Sequence, residues 1–198
     1  SSDLLIDQFN LGFAPARGEE DLLVKYFTQK GIDYQLMRAS GLFTEDQTGQ
    51  LHDRFFDRVI YPIKNANGQP IAFSGRLLAK KATENAPKYL NSPETPIFNK
   101  RRTLFNLDQA KKAARKEGHL TLFEGFMDVI SAFGAGVRSG IASMGTSFTD
   151  EQVAVIARTT DKLTICYDGD AAGQNAINRA LTMLAASRLT LRDRKSVV

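Results

Sequence analysis

The chain has 198 residues, of which 42% are hydrophobic and 24% charged, with a formal net charge of +4. That length supports one good core with at most a smaller subdomain attached, and no apolar run approaches the length of a membrane span. A single cysteine, Cys166, excludes an internal disulfide. Two histidines, His52 and His119, with no second His or Cys at ligand spacing, argue against a zinc site within the chain.

The opening Ser1-Ser2-Asp3-Leu4 has no basic n-region of a signal peptide, so cytoplasm is the expected compartment. It reads as starting mid-domain. Charge is unevenly spread. Residues 1–49 carry 4 basic and 8 acidic groups, residues 50–118 carry 14 and 6, and residues 119–198 carry 8 of each. A basic middle segment is commonly a solvated face. Set directly before a run of strand-end carboxylates, it reads better as a polyanion-binding surface.

Residues 19–40 read as helical. Leu22, Leu23, Tyr26 and Phe27 form one apolar stripe, and Leu36 and Met37 another after a break at Gly31. From about 52 to 78 the pattern becomes strand-like. Arg58-Val59-Ile60-Tyr61-Pro62-Ile63 and Pro70-Ile71-Ala72-Phe73-Ser74-Gly75-Arg76 flank Asn65-Ala66-Asn67-Gly68, which predicts a hairpin. Residues 79–100, punctuated by Pro87, Pro93 and Pro96, read as a long ordered loop anchored by Tyr89, Leu90, Ile97 and Phe98.

From 119 onward strands and helices alternate. Strands are expected at 120–123, 138–143 and 163–167, helices at 126–134, 149–159 and 171–187, and a further strand is expected to begin at 189. Thr149 and Asp150 are candidate N-caps. Such alternation implies βαβ units and a parallel sheet, with ligands at the carboxyl ends of the strands. Cys166, inside a strand pattern, is expected to be a buried, inert thiol. Residues 193–198 lack any pattern that completes a domain and are expected to be non-native, with the native sequence cut near 192.

Two strands in this half end on acids: Thr121-Leu122-Phe123-Glu124-Gly125-Phe126-Met127-Asp128 and Leu163-Thr164-Ile165-Cys166-Tyr167-Asp168-Gly169-Asp170. Carboxylates gathered at one sheet edge repel one another and call for a cation. Asp168 and Asp170, two apart on an extended segment, are expected to face the same way and hold Mg²⁺. Glu124 is placed to share the metal or take a proton. Asp128 either reaches the same site or favours a helix N-terminus. Gly169 permits a sharp turn or close ligand approach. Gly173 either brings the helix N-terminus close to the bound group or serves packing.

Glu124-Gly125-Phe126-Met127-Asp128 with Asp168-Gly169-Asp170-Ala171-Ala172-Gly173 resembles the Toprim motif pair of primases, topoisomerases and some nucleases. Upstream, Asp53-Arg54-Phe55-Phe56-Asp57-Arg58-Val59-Ile60-Tyr61-Pro62-Ile63, Phe73-Ser74-Gly75-Arg76 and the block from Pro87-Lys88-Tyr89-Leu90-Asn91-Ser92 to Phe98-Asn99-Lys100 look like signatures of bacterial replicative (DnaG-type) primase. Met144-Gly145-Thr146-Ser147 is similar to that family's Gly-Thr segment. The resemblance departs at Ser74, where a second glycine is usual, at Arg101, where glycine commonly follows the lysine, and at Phe105-Asn106 in place of Tyr-Gly.

The resemblance implies an α/β fold in which a Toprim parallel sheet flanked by helices follows a smaller mixed α+β basic subdomain. The basic subdomain would occupy 1–117 and the Toprim domain 118–192. It also implies a DNA-templated RNA polymerase making short primers. On matching positions Glu124, Asp168 and Asp170 become catalytic and metal-binding acids, with Asp128 in support and Mg²⁺ or Mn²⁺ as the metal. Arg54, Arg58, Arg76, Lys88, Asn91 and Lys100 become contacts to template or nucleoside triphosphate. For Arg54 and Arg58 a structural ion-pair cluster with Asp57 remains open. The implied partners are single-stranded DNA, ribonucleoside triphosphates, and a replicative helicase and single-strand-binding protein reached through regions outside this chain. A monomer with no membrane association is expected. The family's third acidic motif would fall after residue 198, so the isolated chain is expected to be weak or inactive. A phage or plasmid primase-helicase and a non-catalytic Toprim nucleic-acid-binding module are the alternatives. A topoisomerase would need a nucleophilic tyrosine, and none of the five tyrosines has that setting.

Overall fold

The computed structural model describes residues 2–16, 21–78, 87–145 and 147–192. The expected non-native tail, most of the Pro-flanked loop's first half, and Thr146 lie outside these residues. The chain forms two compact units, residues 1–63 with 71–98, and residues 64–70 with 99–198. The boundary read from sequence, 117/118, falls inside the second unit.

In the first unit, α1 (Ser2–Phe9), α2 (Leu22–Gln29) and α3 (Tyr34–Ala39) accompany two sheets. One is a hairpin of β2 (Phe43–Glu45) and β3 (Leu51–Asp53). The other has the order β1-β4-β5-β6, from Gly12–Ala14, Arg58–Lys64, Pro70–Leu77 and Tyr89–Asn91. The β4–β5 turn follows the Asn-Gly expectation. The Asn65 Oδ1 accepts from the amides of Asn67 and Gln69 at 2.9 and 3.1 Å, and Gly68 takes a φ of 84°. A side chain at that φ would be strained. Met37, Phe43 and Leu51 form a small core, backed by Leu23, Val24 and Phe27.

The expected loop at 79–100 is in part strand. β6 pairs antiparallel with β5, placing Ser74 opposite Asn91. Single-sequence reading missed it because three residues between prolines carry no period. Phe98 is fully buried, but Ile97 is 68% exposed and anchors nothing.

The second unit contains α4 (Leu107–Glu117), β7 (Leu120–Phe123), α5 (Phe126–Gly134), β8 (Gly140–Ala142), α6 (Asp150–Ala157), β9 (Lys162–Cys166), α7 (Ala171–Ala185) and β10 (Thr190–Arg192). Its four strands form a parallel sheet in the order β10-β9-β7-β8. Leu120, Leu122, Ile141 and Leu163 are fully buried in it. Each such side chain contributes about 1.5–3 kcal/mol, and strands enclosed on both faces read as continuous apolar runs. Helices α4 to α7 flank the sheet. The α6 start carries the anticipated cap, since Thr149 Oγ1 accepts from the Gln152 amide at 3.1 Å. Asn106, just before α4, takes a φ of 64°. That is the left-handed backbone glycine adopts most readily and asparagine tolerates, and the Asn106 Nδ2 donates to the Gly140 carbonyl at 2.9 Å. Cys166 is half-buried rather than buried, because it is the last residue of β9 at the open edge.

Candidate active site

β7 and β9 are direct neighbours, with Phe123 opposite Cys166. The residues that follow, Glu124 and Tyr167-Asp168, therefore emerge together at the carboxyl edge of the sheet. The Glu124 Oε2 accepts from the Asp168 amide at 3.3 Å, and both residues are exposed. The expected meeting of two acidic strand ends is present.

The other two acids are used differently. Asp128 is in the first turn of α5, and its Oδ2 accepts from the Gly125 amide at 3.0 Å. Asp170 is the N-cap of α7, and its Oδ1 accepts from the Gly173 amide at 2.8 Å. Both answer the unfilled amides and positive dipole of a helix start. Among the described residues no three acidic, histidine or cysteine side chains converge as a metal cluster. Gly169 has no atom within 4 Å of a Cβ built on it and no positive φ, so neither backbone nor packing requires a glycine there.

This donor set fits magnesium or manganese. Carboxylate oxygens are the hard ligands those ions prefer, and Mg²⁺ is commonly held by one or two carboxylates with waters and substrate phosphates completing its shell. Glu124, Asp128 and Asp170 each spend one carboxylate oxygen on a backbone amide and retain the second.

Tyr167 was not anticipated as part of this edge. Burial first, and then the nearby Glu124 charge, push its phenol up to about 12. Its apolar strand context gave no hint, since proximity to Glu124 arises only from the β7–β9 register.

The predicted basic residues take unlike positions. In the first unit, Arg54 donates through Nε and Nη2 to the Asn91 carbonyl at 3.3 and 3.0 Å, uniting two of them. Arg76 and Lys88 both flank the Tyr89 ring, at 6.0 and 5.8 Å from its centroid, within cation–π range. Arg58 is only 3% exposed. Its Nη1 donates to the carbonyls of Gly75 and Pro87 at 3.1 and 2.9 Å, and burial lowers its pKa. In this conformation it braces the strands rather than facing solvent. Gly75 makes room for it, since a Cβ there would lie 2.8 Å from the Arg58 Cδ. The bonds of Arg54 and Arg58 go to carbonyls, not to Asp57, so the ion-pair cluster does not form. Lys100 belongs to the second unit, where its carbonyl accepts from Gln152 Nε2 at 3.1 Å.

Two polar groupings escaped the sequence reading. Gln152, fully buried, holds the 100–103 turn. In the first unit, the His52 ring lies 2.7 Å from Asp21 Oδ2 and 3.1 Å from Asp46 Oδ2. Asp53 caps α2 from β3, accepting from the amides of Leu23 and Val24 at 2.9 and 3.0 Å. No local spacing announces any of these pairings.

A parallel sheet with an acidic carboxyl edge is the arrangement expected of a Toprim-like protein, and residues 121–196 match the family model described as Toprim-like. Residues 1–111 match the model described as DNA primase catalytic core, N-terminal domain. The chain belongs to the DNA primase catalytic core family. It is 51% identical to a DNA primase of Enterococcus faecalis over 182 residues, which cover 91% of this chain and 29% of that protein. The E. coli primase catalytic core matches with a TM-score of 0.84 at 36% identity, covering 97% of this chain and 60% of the other. A DnaG primase catalytic domain bound to single-stranded DNA matches equally well, at 0.84 and 35%, covering 97% and 59%. The chain thus spans less than a third of the length of its curated relative. Among the described residues no helix is long and apolar enough to cross a membrane.

Proposed function

We propose that this chain is part of the RNA-polymerase core of a primase that makes short RNA primers on single-stranded DNA. The observation that carries the reading is the shared ending of β7 and β9, with the Glu124 carboxylate 3.3 Å from the Asp168 amide. Glu124, Asp168 and Asp170 would hold Mg²⁺ or Mn²⁺, with Asp128 in support. Bound there, the ion supplies positive charge that steadies phosphoryl oxygens and activates a hydroxyl nucleophile.

The remaining work falls to the chain itself. Glu124 keeps one carboxylate oxygen with which to take the proton of an attacking hydroxyl. Asp128 and Asp170, anchored on helix amides, hold their second oxygens in fixed places. Arg54, Arg76, Lys88, Asn91 and Lys100 bind template or triphosphate oxygens without reading bases. Arg58 acts from the interior, keeping β5 and the Pro87 segment in position for their neighbours. The basic subdomain at 1–117 and the Toprim domain at 118–192 divide these tasks.

Single-stranded DNA and ribonucleoside triphosphates are the proposed substrates, in a cytoplasmic protein at the replication fork. Helicase and single-strand-binding protein would be met by other regions of the protein. The ssDNA-bound relative supports the template assignment. Ribonucleotide incorporation by the full-length protein on a single-stranded template should fall about 10²-fold or more in Glu124→Gln. Undiminished incorporation would overturn the reading.

A further inference from the structure

The two glycines of the Asp168-Gly169-Asp170-Ala171-Ala172-Gly173 segment are equivalent in sequence but not in structure. A Cβ on Gly169 meets nothing within 4 Å. A Cβ on Gly173 would lie 2.1 Å from the Asp168 carbonyl oxygen, 2.9 Å from its carbon and 3.3 Å from its nitrogen. The obstacle is main chain, which cannot rotate aside as a side chain does. The Gly173 amide meanwhile donates to Asp170 Oδ1 at 2.8 Å. The Asp168 amide donates to Glu124 Oε2 at 3.3 Å. One residue therefore touches both aspartates directly, and Glu124 through Asp168.

We infer that Gly173 is a positioning residue: its bare Cα seats the Asp168 peptide, and its amide fixes Asp170, so that α7 sets the spacing of the acidic edge. Any side chain at 173 lifts the Asp168 peptide off the helix start. That moves the Asp168 carboxylate and the amide held by Glu124, while the sheet beneath stays in place. Gly169, by contrast, is replaceable. The inference rests on the metal reading above for its consequence, but not for its geometry.

Helix propensity alone favours alanine over glycine inside α7. A merely helical role for Gly173 therefore predicts that Gly173→Ala is neutral or stabilising, with ion binding intact. The positioning role predicts the opposite for the ion.

The experiment compares wild type, Gly169→Ala, Gly173→Ala and Asp168→Asn in the full-length protein. It measures Mn²⁺ affinity by calorimetric titration, and the hydrogen exchange of the Asp168 amide without metal. Gly173→Ala should weaken Mn²⁺ binding about 10- to 100-fold, the range for groups that orient metal ligands, and should speed exchange of that amide. Gly169→Ala should do neither. Wild-type Mn²⁺ affinity and unchanged exchange in Gly173→Ala would overturn the inference, as would an equal loss in Gly169→Ala. Global unfolding of Gly173→Ala would overturn it too, because the displacement is assigned to an exposed turn. If wild type fails to bind Mn²⁺, or Asp168→Asn binds it equally, the metal reading fails, and the metal-free exchange alone decides the positioning role.

Discussion

Gln152 offers a stringent test of the second unit's construction. It is completely buried, yet every polar atom of its side chain is engaged. The Nε2 donates to the carbonyls of Lys100 and Thr103 at 3.1 and 3.0 Å, and the Oε1 accepts from the Thr149 amide at 3.3 Å. Gln152→Leu keeps the volume and removes all three bonds. At a net worth of about 1 kcal/mol each, the loss is about 3 kcal/mol. For a protein of this size that lowers Tm by about 6–12 °C. Gln152→Glu should be worse at neutral pH, because a buried carboxylate would then face two carbonyl oxygens. Part of its loss should return on acidification, as the carboxyl regains a proton to donate. Thermal unfolding followed by circular dichroism measures both. A Tm for Gln152→Leu within about 1 °C of wild type would refute the reasoning, since it leaves no room for three working hydrogen bonds.

Two further predictions concern pH. Hydrogen bonds donated to the carboxylates of Asp46 and then Asp21 raise the pKa of His52 above 6.5. The stabilisation it gives is therefore fully present below about 6.5 and is lost as pH rises through the folded value. A Tm–pH profile should show this loss in wild type and not in His52→Asn; parallel profiles would contradict it. For Tyr167, burial dominates and Glu124 adds to it, so Glu124→Gln should lower the phenol's titration from about 12 while leaving it above 10. Stability linked to Tyr167 is present below pH 10 and lost as pH rises toward 12. Phenolate absorbance, taken as a difference against Tyr167→Phe, reads the shift, and identical titration with and without Glu124 would contradict it.

The second unit was the more legible in sequence because its signals are local. Strands such as Leu120–Phe123 are buried on both faces and bounded by polar residues, and α6 opens on the cap candidate Thr149. α4 escaped because its buried stripe, Leu107, Ala110 and Ala114, is mostly alanine and lies among Lys111, Lys112, Arg115 and Lys116. β1 and β6 escaped because three-residue strands exist only through their partners β4 and β5. At the site, the placing of Glu124 and Asp168 at one sheet edge followed from the alternation of strands and helices. The capping of Asp170 did not, and that of Asp128 stood only as an alternative to a metal role, because a carboxylate three residues from a glycine serves a metal and a helix amide with the same spacing. Nor did the burial of Arg58, whose charge suggests solvent until the Gly75 and Pro87 carbonyls that receive it are in place.

The most direct test of the acidic edge is Mn²⁺ titration of the wild-type chain, Glu124→Gln and Asp168→Asn, alongside their affinity for single-stranded DNA. The account predicts that each substitution abolishes ion binding and leaves DNA affinity largely intact, since phosphates are held by the basic residues. Mn²⁺ binding in both variants equal to that of wild type would contradict it and favour a nucleic-acid-binding module whose carboxylates do no chemistry.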